Sequence, residues 1–382
     1  MSLPAASGRF DDLIAGSSWC FPEIAYVLEA FSPGQVRDVL REAEFATLRG
    51  WWAFGFVAYE AASGLDPALT SREPVDGLPL AWFGVCREPQ AAPPLVRALP
   101  VKSALGDWAC HWTEEHHRQQ VERVRQEIAA GETYQCNLTT RLTADFSGRP
   151  KDLYAGLALA QGGSYNAYID IGRFVIASAS PELFFETAGV DLRMRPMKGT
   201  APRGHTDAED AAIAAGLRAS EKERAENIMI VDLIRNDVAK LAVTGGVSVR
   251  SLCRAERYET VHQLTSEVTA RLRPGIGLEE MFGALFPSGS VTGAPKVRTM
   301  RLIRGLEEES RGVYCGAIGM IAPPGTSFGA RFSVAIRTIL IDRDRATATY
   351  GSGGGITWAS DPAAEYAELH AKAALLTRLN DR

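Results

Sequence analysis

The sequence predicts an α+β fold built mainly of antiparallel strands. Strand-like runs arrive in groups, and helical runs are inserted between the groups instead of alternating strictly with single strands. No internal repeat and no long low-complexity tract offers a different architecture.

The elements follow in order. Residues 1–100 are punctuated by Pro and Gly around short apolar runs, among them 51–57 and 80–83. The stretch 88–100, rich in Pro and Ala, reads as a connecting segment. A helix is predicted over 113–130, with Thr113 as cap, His117, Val121, Val124 and Ile128 on one face and Gly131 as its stop. A strand over 134–146 puts Tyr134, Cys136, Leu138 and Leu142 on one side and Gln135, Asn137, Thr139 and Arg141 on the other. Further strands are predicted over 174–178, 183–187, 192–196, 258–269, 315–321, 331–341 and 346–350. Helices are predicted over 207–217, 220–241, 278–285, 295–305 and 362–379, the last opened by Asp361 and Pro362.

Composition narrows the function classes. Of the 382 residues, 46% are hydrophobic and 23% charged, as in soluble globular proteins. A net charge of -5 with no Lys/Arg-rich run argues against a nucleic-acid partner. The six cysteines form no CxxC pair, and they read as reduced thiols of a cytoplasmic protein. Met1-Ser2-Leu3-Pro4 does not open a signal peptide, and no apolar run is long enough to span a membrane.

Five groups of residues could carry chemistry. Lys198 follows the alternating run Leu192–Arg195, where Pro196 ends the strand and Gly199 permits a bend. Backbone would present this lysine, and Arg193, Arg195 and Arg203 would favour its free amine; a solvated lysine is the competing reading. Glu223 with Glu226, and Glu365 with Glu368, each share a helical face. Facing each other they would form an oxygen site for a hard cation such as Mg²⁺; apart, they are solvated helix faces. Gly353, Gly354 and Gly355 either cradle an anion with their N–H groups or form a flexible strand-to-helix turn. Arg337, in an otherwise apolar strand, needs an anion, from a ligand or from a structural carboxylate, and Lys372 shares a face with Glu368. Finally, a hairpin turning through Ala188-Gly189-Val190 would set Glu182 opposite Pro196. That leaves Glu182 roughly 7 Å from Lys198, as an acid–nucleophile pair or an ordinary salt bridge.

Seven ordered segments together resemble the chorismate-utilising enzymes, in their aminodeoxychorismate-forming branch. They are Tyr134–Thr139, Ser180–Phe184, Met197–Thr200 with Pro202–Gly204, Lys222–Asp237, Phe286–Lys296, Cys315–Gly319 and the stretch from Gly353 to Lys372. The resemblance runs from about Glu114 to Lys372, and Gly50–Trp52 with Tyr59–Ala62 resemble a shortened N-terminal region. It implies two packed, mainly antiparallel sheets with helices outside. Residues 1–100 would pack on a chorismate-binding catalytic domain over 105–380, in one continuous structural domain.

The same resemblance implies roles. Glu226 and Glu368 would ligand Mg²⁺, helped by Glu223 and Glu365, and the ion would hold the ring carboxylate of chorismate. Arg337, Lys372 and the amides of Gly353–Gly355 would hold the substrate's carboxylates. Thr200, His262, Thr292 and Tyr314 would line the pocket. Glu182 would protonate the departing C4 hydroxyl. Gln135 stands where water-using isochorismate synthases carry a lysine base, and Lys198 stands where anthranilate synthases carry alanine. Lys198 would then add at C2 before ammonia enters at C4, giving 4-amino-4-deoxychorismate for p-aminobenzoate and folate synthesis. No Cys-His-Glu triad motif is present, so ammonia would come from a separate glutamine amidotransferase subunit. Met197 replaces the usual isoleucine, and the Leu-Leu-Glu-Ser run that accompanies tryptophan binding is absent. Anthranilate synthesis is the second expectation, followed by isochorismate-type chemistry or a non-catalytic chorismate-binding relative.

Overall fold

The computed structural model describes residues 6–95, 105–258 and 261–380. Residues 96–100 of the expected connecting segment, the Met1–Pro4 terminus and positions 259–260 of an expected strand lie outside the described residues.

Among the described residues the strands form two ten-stranded sheets. The first runs Gly293–Ala294, Gln135–Asp145, Thr347–Ile356, Thr338–Asp342, Phe174–Ser180, Tyr165–Asp170, Ser7–Asp12, Ser17–Phe21, Gln90–Ala91, with Ala109–Cys110 beside Gln135–Asp145. The second runs Met197–Pro202, Val261–Leu272, Asp191–Arg195, Leu183–Ala188, Ala330–Val334, Ala317–Ile321, Trp52–Val57, Ala81–Cys86, Tyr26–Ala30. Ala242–Arg257 pairs beside Val261–Leu272. The N-terminal region therefore supplies strands to both sheets.

Packing explains the layers. Phe21, Phe174 and Ile176 of the first sheet meet Phe54, Phe56, Trp82 and Ile318 of the second in a shared core. Each such side chain contributes about 1.5–3 kcal/mol on full burial. Helices Pro33–Leu48, Glu221–Ala239 and Leu278–Leu285 cover the outer face of the second sheet. Pro150–Gln161 and Pro362–Asn380 cover the first. Every residue of Trp52–Val57 is buried because both of its faces are covered.

The expected helices form with their caps in place. The Thr113 side chain accepts from the His116 amide, Ser220 from Glu223 and Asp361 from Ala364. Four expectations need correction. The strand over 331–341 is two strands in different sheets, Ala330–Val334 and Thr338–Asp342, because the chain turns at Arg337 with a φ of 53°. The glycines after Tyr350 belong to the ordered strand Thr347–Ile356, paired to Gln135–Asp145, so they are not a flexible turn. Lys198 is not in a bend beyond a strand but inside a new one, Met197–Pro202. The hairpin turn is also tighter than expected, with Ala188 opposite Asp191, and a register shift further along brings Leu183 opposite Arg195.

Candidate active site

A cleft open to solvent lies where the Met197–Pro202 strand, the glycine half of Thr347–Ile356, the segment Gly289–Val291 and the first turns of two helices meet. Lys198, Glu182, Thr200, Tyr314, Arg337, Gly353, Gly354, Gly355, Lys372, Glu223, Glu226, Glu365 and Glu368 all line it.

The backbone sets up this convergence. Strand Thr338–Asp342 pairs with Thr347–Ile356 only as far as Tyr350, so the glycines keep one open edge towards the cleft. A Cβ on Gly355 would sit 2.4 Å from Lys198 Nζ and 2.3 Å from Gln135 Nε2. Only a glycine lets the strand pass so close to both groups. Lys198 itself lies 3.6 Å from Glu226 Oε2, with 15% of its side chain exposed.

Three predicted residues do not line the cleft. His262 is buried with Nε2 2.8 Å from Asp210 Oδ1, and its strand neighbour Gln263 faces the cleft instead, donating to Thr200 Oγ1 at 3.2 Å. Thr292 is wholly buried and its hydroxyl donates to the Ser288 carbonyl at 3.0 Å, bracing the adjacent turn. Gln135 is wholly buried behind Gly355, and neither amide atom finds a hydrogen-bond partner among the described residues. The arginine environment expected around Lys198 also fails. Arg193 pairs with Glu186, Arg195 with Glu256 and Arg203 with Asp210, so their charges are spent on carboxylates.

Ser290, Asn137, Gln263 and Lys222 also line the cleft but were not singled out from sequence. Ser290 and Asn137 lie inside segments that carried the resemblance, yet nothing local distinguishes a lining residue from its neighbours.

Electrostatics separates the carboxylates. Burial pushes the Glu182 carboxyl up to about 7, opposed by a 2.7 Å hydrogen bond from Ser290 Oγ and by the Lys198 charge. Burial also raises Glu223 and Glu365, and repulsion from neighbouring carboxylates adds to both. Burial acts on Glu368 in the same sense, but Lys372 at 2.7 Å carries it below the usual range. Burial lowers Lys372, whose Nζ also donates to the Gly353 carbonyl at 2.8 Å. Arg337 donates from Nη1 to the Lys372 carbonyl at 2.5 Å and makes no ion pair among the described residues.

The family described as chorismate binding enzyme matches residues 23–378. This chain belongs to that family. Among its curated relatives, an aminodeoxychorismate synthase of Streptomyces griseus is 43% identical over 265 residues, covering 68% of this chain and 36% of its own length. Anthranilate synthase component 1 of Streptomyces coelicolor is 40% identical over 287 residues, 74% of this chain and 55% of the relative. Anthranilate synthase component I from Streptococcus pneumoniae superposes with a TM-score of 0.76 at 27% identity, covering 98% of this chain and 92% of that one. The chain spans between about a third and three fifths of the length of the curated relatives it matches.

For a chorismate binding enzyme, a cleft lined by Arg337 and Lys372 holds two basic side chains suited to carboxylates. Facing them, the four glutamates are an all-oxygen donor set, whose chemistry suits a hard cation such as Mg²⁺. Burial is the main cause of the raised Glu223 and Glu365, and the smaller repulsion from Glu226 and Glu368 is the part that a cation would relieve. As placed, no three His, Cys, Asp or Glu side chains gather as an ion's ligands among the described residues; the Nζ atoms of Lys198 and Lys372 lie against Glu226 and Glu368 instead. No helix among the described residues is long and apolar enough to cross a membrane.

Proposed function

We propose that this chain converts chorismate and ammonia to 4-amino-4-deoxychorismate, with Lys198 as covalent nucleophile and Glu182 as general acid. The observation that carries this reading is the pairing of a largely buried lysine amine with a buried carboxyl poised near neutrality in one cleft.

Arg337 and Lys372 orient the two substrate carboxylates, and the open glycine edge adds N–H donors. Lys198 Nζ, reacting as the free amine, forms a bond to C2 while the C4 hydroxyl departs with the Glu182 proton as water. Ammonia then bonds to C4, and the C2–nitrogen bond breaks to release the lysine amine. The ammonium formed at C4 returns its extra proton to Glu182, so the enzyme ends as it began. Glu226 and Glu368, with Glu223 and Glu365, would hold Mg²⁺, which would supply positive charge for the ring carboxylate. The ammonia would come from a glutamine amidotransferase partner.

Anthranilate formation is the second reading, favoured by the 40% identical anthranilate synthase component 1. Product analysis with chorismate, Mg²⁺ and an ammonium salt at mildly alkaline pH separates the two. We expect 4-amino-4-deoxychorismate; anthranilate, isochorismate or unchanged chorismate would overturn the proposal.

A further inference from the structure

The strand that carries Lys198 is irregular at the lysine. Met197 lies opposite Thr265 and Thr200 opposite Gln263, so Lys198 and Gly199 together face the single residue Leu264. Such a bulge takes backbone groups out of the ladder and leaves them needing other partners. Gly199 absorbs the geometry with a φ of 97°. A Cβ there would press on Glu223 Oε2 at 2.9 Å.

One side chain takes up the displaced carbonyls from both strands. Asn227, 1% exposed, donates from Nδ2 to Lys198 O and to Leu264 O, each at 3.2 Å. Its Oδ1 accepts from Ser266 Oγ at 2.5 Å, and that oxygen in turn accepts from the Cys253 amide at 3.0 Å. Two carbonyls can only accept, so the nitrogen must face them and the amide orientation is fixed by its partners. Asn227 follows Glu226 on the same helix, and Glu226 Oε2 lies 3.6 Å from Lys198 Nζ. The helix therefore holds Lys198 at its backbone and at the tip of its side chain.

We propose that Asn227 is a positioning residue for Lys198, clamping the bulge so that the amine is aimed at the substrate. This rests on Lys198 being the nucleophile. A misplacement of about 1 Å in a reacting group can slow a step by about 100-fold. Aspartate has nearly the same shape but no N–H, so it would set a carboxylate against two carbonyl oxygens.

The test compares wild type with Asn227→Asp and Ser266→Ala, using chorismate without ammonia. Adduct formation on Lys198 is followed by mass, chorismate affinity by titration, and backbone protection of 197–200 by hydrogen exchange. In Asn227→Asp we expect the adduct to form about 100-fold more slowly while chorismate affinity changes less than about threefold. Protection of 197–200 should fall in parallel. Ser266→Ala, which keeps the asparagine but removes its brace, should show a smaller loss of the same kind if Asn227→Asp does not fold. An unchanged adduct rate would overturn the inference, as would a loss confined to chorismate affinity. A wild type that forms no adduct would remove the nucleophile reading alone, and exchange at 197–200 would then decide the clamp: unchanged protection in both variants overturns it.

Discussion

The Lys198 amine occupies the space that a side chain on Gly355 would fill, 2.4 Å from the position of its Cβ. The strand Thr347–Ile356 and the strand Met197–Pro202 belong to different sheets, so this contact is where the two sheets define the cleft. The atoms a Cβ would strike, Lys198 Nζ and Gln135 Nε2, are the free ends of flexible side chains. They can move aside cheaply, and the lysine then loses its aim. Gly355→Ala should therefore keep its melting temperature within a few degrees while turnover falls by about 100-fold. A variant with normal turnover would show that the lysine need not lie against this glycine.

Glu182 predicts a pH signature. Its folded pKa of about 7 lies above the ordinary carboxyl value because of burial. Unfolded chains then ionise first as pH rises, so stability is greatest below the ordinary value and is lost between about 4.5 and 7, by up to about 3 kcal/mol. Glu182→Gln removes this contribution, so its melting temperature should rise relative to wild type as pH increases through that window. Buried Glu60, also at about 7, leaves a residual slope of the same sign in both proteins. Equal slopes in the two proteins would mean Glu182 is ionised in the fold.

Catalysis should follow the same proton. Glu182→Gln should lower kcat by about 10²-fold or more while chorismate binding changes little. With free ammonia held constant, wild-type kcat should decline above about pH 7 as the acid loses its proton. A mutant that lost only substrate affinity would make Glu182 a structural partner.

The glutamates should make turnover metal-dependent. Glu226→Gln or Glu368→Gln should abolish Mg²⁺-stimulated turnover and leave the circular dichroism spectrum intact. Full activity of the wild type in EDTA would end the Mg²⁺ proposal.

Lys198→Ala tests the branch point. It removes the covalent route to C4 amination while keeping Arg337 and Lys372, so activity should vanish or leak slowly into direct addition at C2, read as anthranilate-type product. Unchanged production of 4-amino-4-deoxychorismate would refute covalent catalysis by Lys198.

Much of the site was legible because it is written locally. Caps at Thr113, Ser220 and Asp361 mark helix starts within a few residues, and i, i+3 spacing puts each glutamate pair on one face wherever the helix is docked. The family segments likewise sit in short, ordered stretches. The N-terminal strands were not legible as strands of two sheets, because short apolar runs do not say which distant strand they join.

The sequence by itself therefore determined the class of fold, six of the helices but not Pro33–Leu48 or Pro150–Gln161, the family, and residue types suited to acid, nucleophile and cation chemistry. Tertiary structure alone decided which of them meet. It split the chain at Arg337 between two sheets, turned Gln263 rather than His262 to the cleft, and occupied the three arginines near Lys198 with carboxylates. The reason is range: capping and periodicity act over one or two turns of chain. The face a strand residue presents depends on bulges and register set by partners such as Leu264 and Asn227, far away in sequence.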